Sequence, residues 1–238
     1  MHSGAGLVTL GVPKGIAKAV IKKKIKEVML LALPETIEGS LSSKALAQIR
    51  EFTKKIDVVV IGPGLGREAS TWSLVRRIVE RIKKPMVVDA DGLNALAGHL
   101  KSVRNLIMTP HPGEMARLSG VSVREIQGDR RAIARKFSRE HHLTLILKGH
   151  RTIVADYRGN LYINKTGNPG MSTAGSGDVL SGMVAAFLGQ GLDAYKAAKY
   201  AVYLHGLAGD LAVREKTEIS LIASDIIGKI PEAIRKSS

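Results

Sequence analysis

Short runs of apolar, often β-branched residues alternate along this chain with longer segments whose apolar positions recur every three to four residues. The first pattern suits strands buried on both faces, the second helices with one inward stripe. Residues 7–12 and Val28–Leu33 therefore read as buried strands, with residues 14–24 between them as a helix turning Ile16, Val20 and Ile21 inward. Pro34 stops the second strand. A helix over residues 42–52 precedes residues 58–61, a strand apolar at every position. Residues 68–82 read as helix, Met86–Val88 as strand, residues 93–100 as a short helix, and Leu106–Met108 as a strand before Pro110. Residues 126–140 are expected as one helix and residues 143–147 as a strand. Residues 152–155 and 162–164, joined across residues 156–160, read as an antiparallel hairpin. Three helices follow, over residues 178–188, 193–214 and 224–235, the last with Ser224 as its N-cap. Continuous apolar strands separated by helices predict an α/β fold with a mostly parallel sheet covered on both faces. No linker or repeat divides residues 1–238, so one domain is expected.

Composition narrows the class. With 45% hydrophobic and 24% charged residues, the chain has the balance of a soluble globular protein. No apolar run approaches the roughly 20 residues that cross a bilayer, and residues 1–10 lack the layout of a signal peptide, so a cytoplasmic protein without membrane contact is expected. There is no cysteine, which excludes disulfides, thiolate metal sites and a cysteine nucleophile. The net charge of +15 can mark nucleic-acid binding or attraction for polyanionic small molecules. Apart from Lys22, Lys23, Lys24 and Lys26 the basic residues are scattered, and 4% aromatic content leaves few stacking platforms for bases. Nucleic acid is therefore not the expected partner.

The densest chemistry lies in residues 168–180, NPGMSTAGSGDVL, where a loop of small residues runs into a helical pattern. Such a loop lets backbone N–H groups approach a ligand, and at a helix N-terminus they form an anion site that suits phosphate. Asp178 stands at its mouth, where a phosphoryl group and an acceptor hydroxyl can meet; an ordinary first helical turn also favours an aspartate. Ligands of such sheets bind beyond the carboxyl ends of strands, and four loops there stand out: residues 62–66 (GPGLG), residues 89–94 (DADGLN), residues 109–114 (TPHPGE) and residues 148–152 (KGHRT). Each alone fits a turn, a cap or a solvated end. Facing one glycine-rich helix start, they point to a single site.

These motifs, GPGLG, VVDADGLNAL, TPHPGEMARLSG, LKGHRT, NPGMSTAGSGDVLSG and YLHGLAGD, stand in order along the chain. Together they resemble the ADP/ATP-dependent NAD(P)H-hydrate dehydratases, repair enzymes of the ribokinase-like fold. The resemblance implies dehydration of the hydrated nicotinamide ring of NADH or NADPH. ATP or, commonly in bacteria and archaea, ADP would drive it with Mg²⁺, through phosphorylation of the ring hydroxyl and loss of phosphate. It implies that Lys148, Gly149, His150, Arg151 and Thr152 form the adenine-nucleotide segment and that Gly177 holds its phosphates. Asp178 would contact the hydrate and serve as base for its hydroxyl; Gly66 and His111 would also contact the hydrate. Glu114 falls where related kinases place an acidic residue that manages Mg²⁺. Asp89, Asp91 and Asn94 receive no role. Family members carry a first strand and a glycine-rich loop ahead of the segment matching Ser3 to Val8, so one strand is expected to be missing from the sheet. Two other readings stay open: a small-molecule kinase of the same fold, and an adenine-nucleotide binder without catalysis. A homo-oligomer is compatible with all three.

Overall fold

The computed structural model describes residues 1–23, 26–100 and 105–237. Two parallel strands come first, β1 (Val8–Pro13) and β2 (Val28–Leu33), in register from Val8 opposite Val28 to Pro13 opposite Leu33. Helix α1 (Ala17–Lys23) links them, followed after β2 by α2 (Leu46–Thr53). Next come β3 (Val59–Ile61), α3 (Ala69–Arg81), β4 (Met86–Val88), α4 (Ala90–Leu96), β5 (Leu106–Met108), α5 (Pro112–Ser119), α6 (Val123–Gly128) and α7 (Arg130–His141). The chain ends with β6 (Thr144–Leu147), the hairpin β7 (Ile153–Ala155) and β8 (Leu161–Ile163), then α8 (Ser176–Gly189), α9 (Ala194–Ala212) and α10 (Ala223–Arg235). Strands β3 to β8 pair in sequence order; β3 to β6 are parallel and β7 and β8 antiparallel.

Alternation along each strand builds a core on either face of this sheet. Met86, Val88, Leu106, Met108, Leu145 and Leu147 point to one, with Leu74, Ile78, Met115, Ile126 and Phe137 from the helices of that side. The intervening Val87, Ile107, Ile146 and Val154 face Leu180, Met183, Val184, Val202 and Ile226 of α8, α9 and α10. Burial on both faces is what the unbroken apolar strands require. Helix α3 shows the complementary pattern: Thr71, Leu74, Val75, Ile78 and Val79 are its buried residues, one stripe at helical spacing.

Several expectations are corrected. The β1–β2 pair is not joined to β3, so the sheet lies in two pieces. Neither β1 nor β3 is fully buried: Leu10 and Val60 are each 43% exposed, because each strand has a side without a strand neighbour among the described residues. Both pieces begin beside one helix end, for Gln190 Nε2 donates to Ser3 O at 2.7 Å and a Cβ on Gly189 would stand 3.8 Å from Val58 Cγ2. Ile16, in the 3₁₀ turn that leads into α1, and Ile21 of α1 both face outward, since the two-stranded sheet gives this segment little to cover; Lys24, its expected end, lies outside the described residues. Residues 126–140 form two helices, divided where Asp129 Oδ1 accepts from Ala132 N and caps α7. Helix α4 starts earlier than expected, capped by Asp89, and the TPHPGE stretch enters a helix in place of a loop. Ser224 lies inside α10; the cap position is Ile222, whose N–H donates to Asp225 Oδ2.

Candidate active site

The carboxyl ends of β4, β5 and β6 converge on the start of α8. At the end of β4, Asp89 is 1% exposed, which is costly for a carboxylate unless each oxygen is engaged. It is engaged: Oδ1 accepts from Ala90 N at 2.8 Å and from Lys148 Nζ at 2.7 Å, and Oδ2 accepts from Ser181 Oγ at 2.7 Å. Lys148 follows β6, and its ammonium also lies 3.9 Å from Glu114 Oε2. Two carboxylates thus hold one ammonium below the glycine-rich helix start. Gly177 sits directly on it, for a Cβ there would come within 3.3 Å of Lys148 Nζ and 3.7 Å of Asp89 Oδ2.

Beyond Gly177, Asp178 occupies the first turn of α8 with its side chain open to the mouth of the site. Partial burial of the carboxyl raises its pKa above the usual aspartate value; the Asp89 carboxylate adds to the rise and the Lys148 ammonium opposes it. His205 of α9 supports the helix start from beneath, with Nε2 3.4 Å from Ser176 Oγ. Burial pushes the His205 pKa down to about 4, the nearby Lys148 charge works in the same direction, and a hydrogen bond with the Ser176 backbone opposes them. Its ring is therefore neutral at pH 7.

His111 is the N-cap of α5. Its Nδ1 accepts from Gly113 N at 3.0 Å and Glu114 N at 3.4 Å, while Glu114 Oε2 accepts from His111 N at 2.8 Å. Pro112 in the first turn has no N–H to satisfy, which suits that position. The capping box orients the His111 ring, whose other edge stays half-exposed. Glu114, expected near Mg²⁺, is buried and faces His111 and Lys148 with its oxygens. Among the described residues no three His, Asp or Glu side chains are grouped to hold a metal.

Gly66 belongs to a different corner of the same rim. Gly62 lets the GPGLG loop in, because a Cβ there would stand 1.7 Å from Asp89 O. Gly66 N then donates to Asp91 Oδ2 at 2.9 Å, Asn94 Nδ2 reaches Asp91 Oδ1 at 3.4 Å, and Arg117 Nε donates to Asn94 Oδ1 at 2.7 Å. Asp89, Asp91 and Asn94 so acquire positions: one anchors Lys148, the other two fix the Gly66 loop and tie it to α5. Gly149, His150, Arg151 and Thr152 form the turn after Lys148, closed by Thr152 Oγ1 donating to Gly149 O at 2.9 Å.

Sequence reasoning missed three supports. Arg130 at the start of α7 donates to Leu147 O at 2.9 Å, Lys148 O at 3.1 Å and His150 O, fixing the backbone of the KGHRT turn; nothing distinguishes it in sequence from its arginine neighbours. Ser181 lies five residues past Ser176, on the apolar face of α8, and a polar residue in that stripe is a readable signal. Asp210 ends the YLHGLAGD motif and accepts from Gly167 N and Asn168 Nδ2, holding the entry to the glycine-rich loop.

A parallel α/β sheet with a lysine, a buried carboxylate and a small-residue helix start gathered at its strand ends defines a protein of the ribokinase-like class. The relatives agree: a family model for NAD(P)H-hydrate dehydratase matches residues 1–232, and the chain belongs to that family. It is 47% identical over 239 residues to the bifunctional NAD(P)H-hydrate repair enzyme Nnr of Moorella thermoacetica, covering 99% of this chain and 45% of that protein. The chain spans about half the length of the curated bifunctional relatives it matches first. The ADP/ATP-dependent NAD(P)H-hydrate dehydratase of Bacillus subtilis, co-crystallised with ATP and Mg²⁺, superposes with a TM-score of 0.83 at 28% identity, over 100% of this chain and 84% of that one. A ribokinase-like superfamily protein of Enterococcus faecalis gives 0.82 at 26% identity, over 100% of this chain and 79% of that one.

Proposed function

We infer that this chain uses ADP or ATP to dehydrate the hydrated nicotinamide ring of NADH or NADPH. The observation that carries the reading is the placement of Lys148, Gly177 and Asp178 around the first turn of α8, with Asp89 and Glu114 fixing the lysine. Phosphoryl transfer requires positioned phosphates, neutralised charge and an aligned hydroxyl more than covalent catalysis. The N–H groups of α8 and the Lys148 ammonium hold the phosphates, and the turn of Gly149, His150, Arg151 and Thr152 takes the nucleotide beside them. Mg²⁺ fits as the nucleotide's own ion, since such sites hold it through phosphates and at most one or two carboxylates; here it would neutralise phosphate charge. Asp178 aligns the ring hydroxyl and accepts its proton, and a raised carboxyl pKa brings such a base nearer to working pH. Once the hydroxyl oxygen carries phosphate it leaves as a stable anion, pushed out by the lone pair of the ring nitrogen. Loss of a proton to water from the adjacent ring carbon then closes the carbon–carbon double bond and returns the lone pair to the nitrogen. Gly66 and His111 line the hydrate side of the rim.

The test is recovery of the reduced-nicotinamide absorbance from NADH hydrate with ADP or ATP and Mg²⁺, on the chain and on a version extended at its N-terminus. Nucleotide-dependent recovery by either supports the reading. Nucleotide binding by both without recovery selects a non-catalytic binder, and phosphorylation of an unrelated alcohol in its place selects a small-molecule kinase.

A further inference from the structure

A cavity of about 550 Å³ opens next to the GPGLG loop, lined chiefly by Arg67, which follows Gly66, and by Trp72, Arg76, Asn94, His99 and Arg117. Its size is that of a small-molecule site, and three guanidiniums with no lining carboxylate give it a strong positive field. The cationic groups are positioned. Arg76 Nε donates to Ala95 O at 2.7 Å and Arg117 Nε to Asn94 Oδ1 at 2.7 Å, so each is anchored by one edge while its terminal nitrogens stay available. None of the three arginines pairs with a carboxylate among the described residues. Trp72 Nε1 donates to Gly66 O at 3.3 Å, which fixes the indole against the same glycine that borders the hydrate pocket.

The geometry points to an adenosine-phosphate subsite: the indole of Trp72 takes the base and the guanidiniums of Arg67, Arg76 and Arg117 take phosphate oxygens. Guanidinium forks match phosphate, and aromatic faces stack on bases. Because Gly66 is shared, the ligand is the distal, unreacting half of the dinucleotide whose nicotinamide end lies at Gly66 and Asp178. This inference rests on the function proposed above and adds to it how the substrate's second half is held. Binding energy gathered there, remote from the reacting ring, positions that ring.

Trp72 is the chain's only tryptophan, so its fluorescence reports on this cavity alone. The experiment titrates NADP⁺, and separately nicotinamide mononucleotide, into protein already saturated with ADP and Mg²⁺. Saturable quenching by NADP⁺ and none by the mononucleotide is expected. Arg67 makes no hydrogen bond among the described residues, so Arg67→Glu should fold normally and weaken NADP⁺ by about tenfold or more; Arg76→Gln should weaken it in the same direction. ADP affinity, read by calorimetry, should stay within twofold in both. Absence of quenching by NADP⁺, or NADP⁺ affinity within twofold in Arg67→Glu, overturns the proposal. So does a changed oligomeric state with NADP⁺ affinity intact, which would make this face a contact between copies. Arginine-dependent quenching in a protein that never turns over the hydrate would leave the subsite standing and remove the proposed reaction. Turnover with no arginine dependence would do the reverse.

Discussion

Lys148 Nζ donates to Asp89 Oδ1 at 2.7 Å, joining the end of β6 to the end of β4 across the intervening β5. The carboxylate is 1% exposed, and its remaining oxygen is taken by Ser181 of α8. One ion pair therefore locks two strand ends and the helix that covers them, and it places a positive charge under Gly177. Taking one member away would leave the other charged and buried.

Lys148→Met should therefore lower stability by about 3 kcal/mol, the loss typical when one partner of a buried pair is removed, or about 6–12 °C in Tm for a chain of this size. Asp89→Asn should cost a similar amount. The double variant should recover part of the loss, because no uncompensated charge remains. Denaturant unfolding of the three variants gives the coupling; additive losses would mean that the pair is not energetically linked. Nucleotide affinity should fall in Lys148→Met and stay low in the double variant, separating the lysine's role toward phosphate from its role in the fold.

The two-sided sheet and most of its strands were legible because burial on both faces demands uninterrupted apolar runs, and Met86–Val88 and Leu106–Met108 carry nothing else. The same rule misled at residues 7–12 and 58–61. Apolar sequence there reads as buried, but exposure depends on a neighbour that periodicity does not encode. Among the chemical residues, Lys148, Gly177 and Asp178 come together as strand-end and helix-start logic anticipates. The partners of Asp89 and Asp91 were not legible, since Lys148 is 59 residues from one and Gly66 is 25 from the other. Contacts at such separations follow from the fold and leave no local signature. Ser224 shows the opposite limit: a good capping residue was passed over because Asp225, one position on, reaches back to the N–H of Ile222.

His205 gives the structure a specific acid sensitivity. Its folded-state pKa of about 4 lies below the ordinary value of 6.5, so between those values the unfolded chain binds a proton that the folded one refuses. Stability from this group is intact above pH 6.5 and is lost as pH falls toward 4, by about 3 kcal/mol in all. Replacing His205 by Gln, which keeps a hydrogen-bonding group near Ser176 and cannot titrate, should flatten the stability-against-pH curve in that window whatever it does to absolute stability. Denaturation midpoints from pH 7 to pH 4 for both proteins decide it; parallel curves would show that His205 is not the titrating group.

Asp178 carries the chemical proposal, and one variant separates it from a helix-start role. Asp178→Asn keeps the shape and the first-turn position and removes the base. Loss of general-base assistance predicts a fall in kcat of at least about 100-fold, with nucleotide affinity unchanged or slightly improved, since a negative charge beside the phosphates has gone. A residue serving only the first turn of α8 would show turnover intact and a stability loss of about 1 kcal/mol. The pKa direction adds a sign. Burial and Asp89 raise the folded-state value above 3.8, so ionising Asp178 costs stability as pH rises through the window above 3.8. Asp178→Asn should therefore gain stability relative to the parent at neutral pH and lose that advantage in acid. In the parent, kcat should fall as pH drops through the raised value, because the protonated carboxyl cannot accept the hydroxyl proton. A variant that is more stable at pH 7 and nearly inactive fits a base held in an unfavourable place for the sake of the reaction; near-parent turnover at either pH would remove Asp178 from the mechanism.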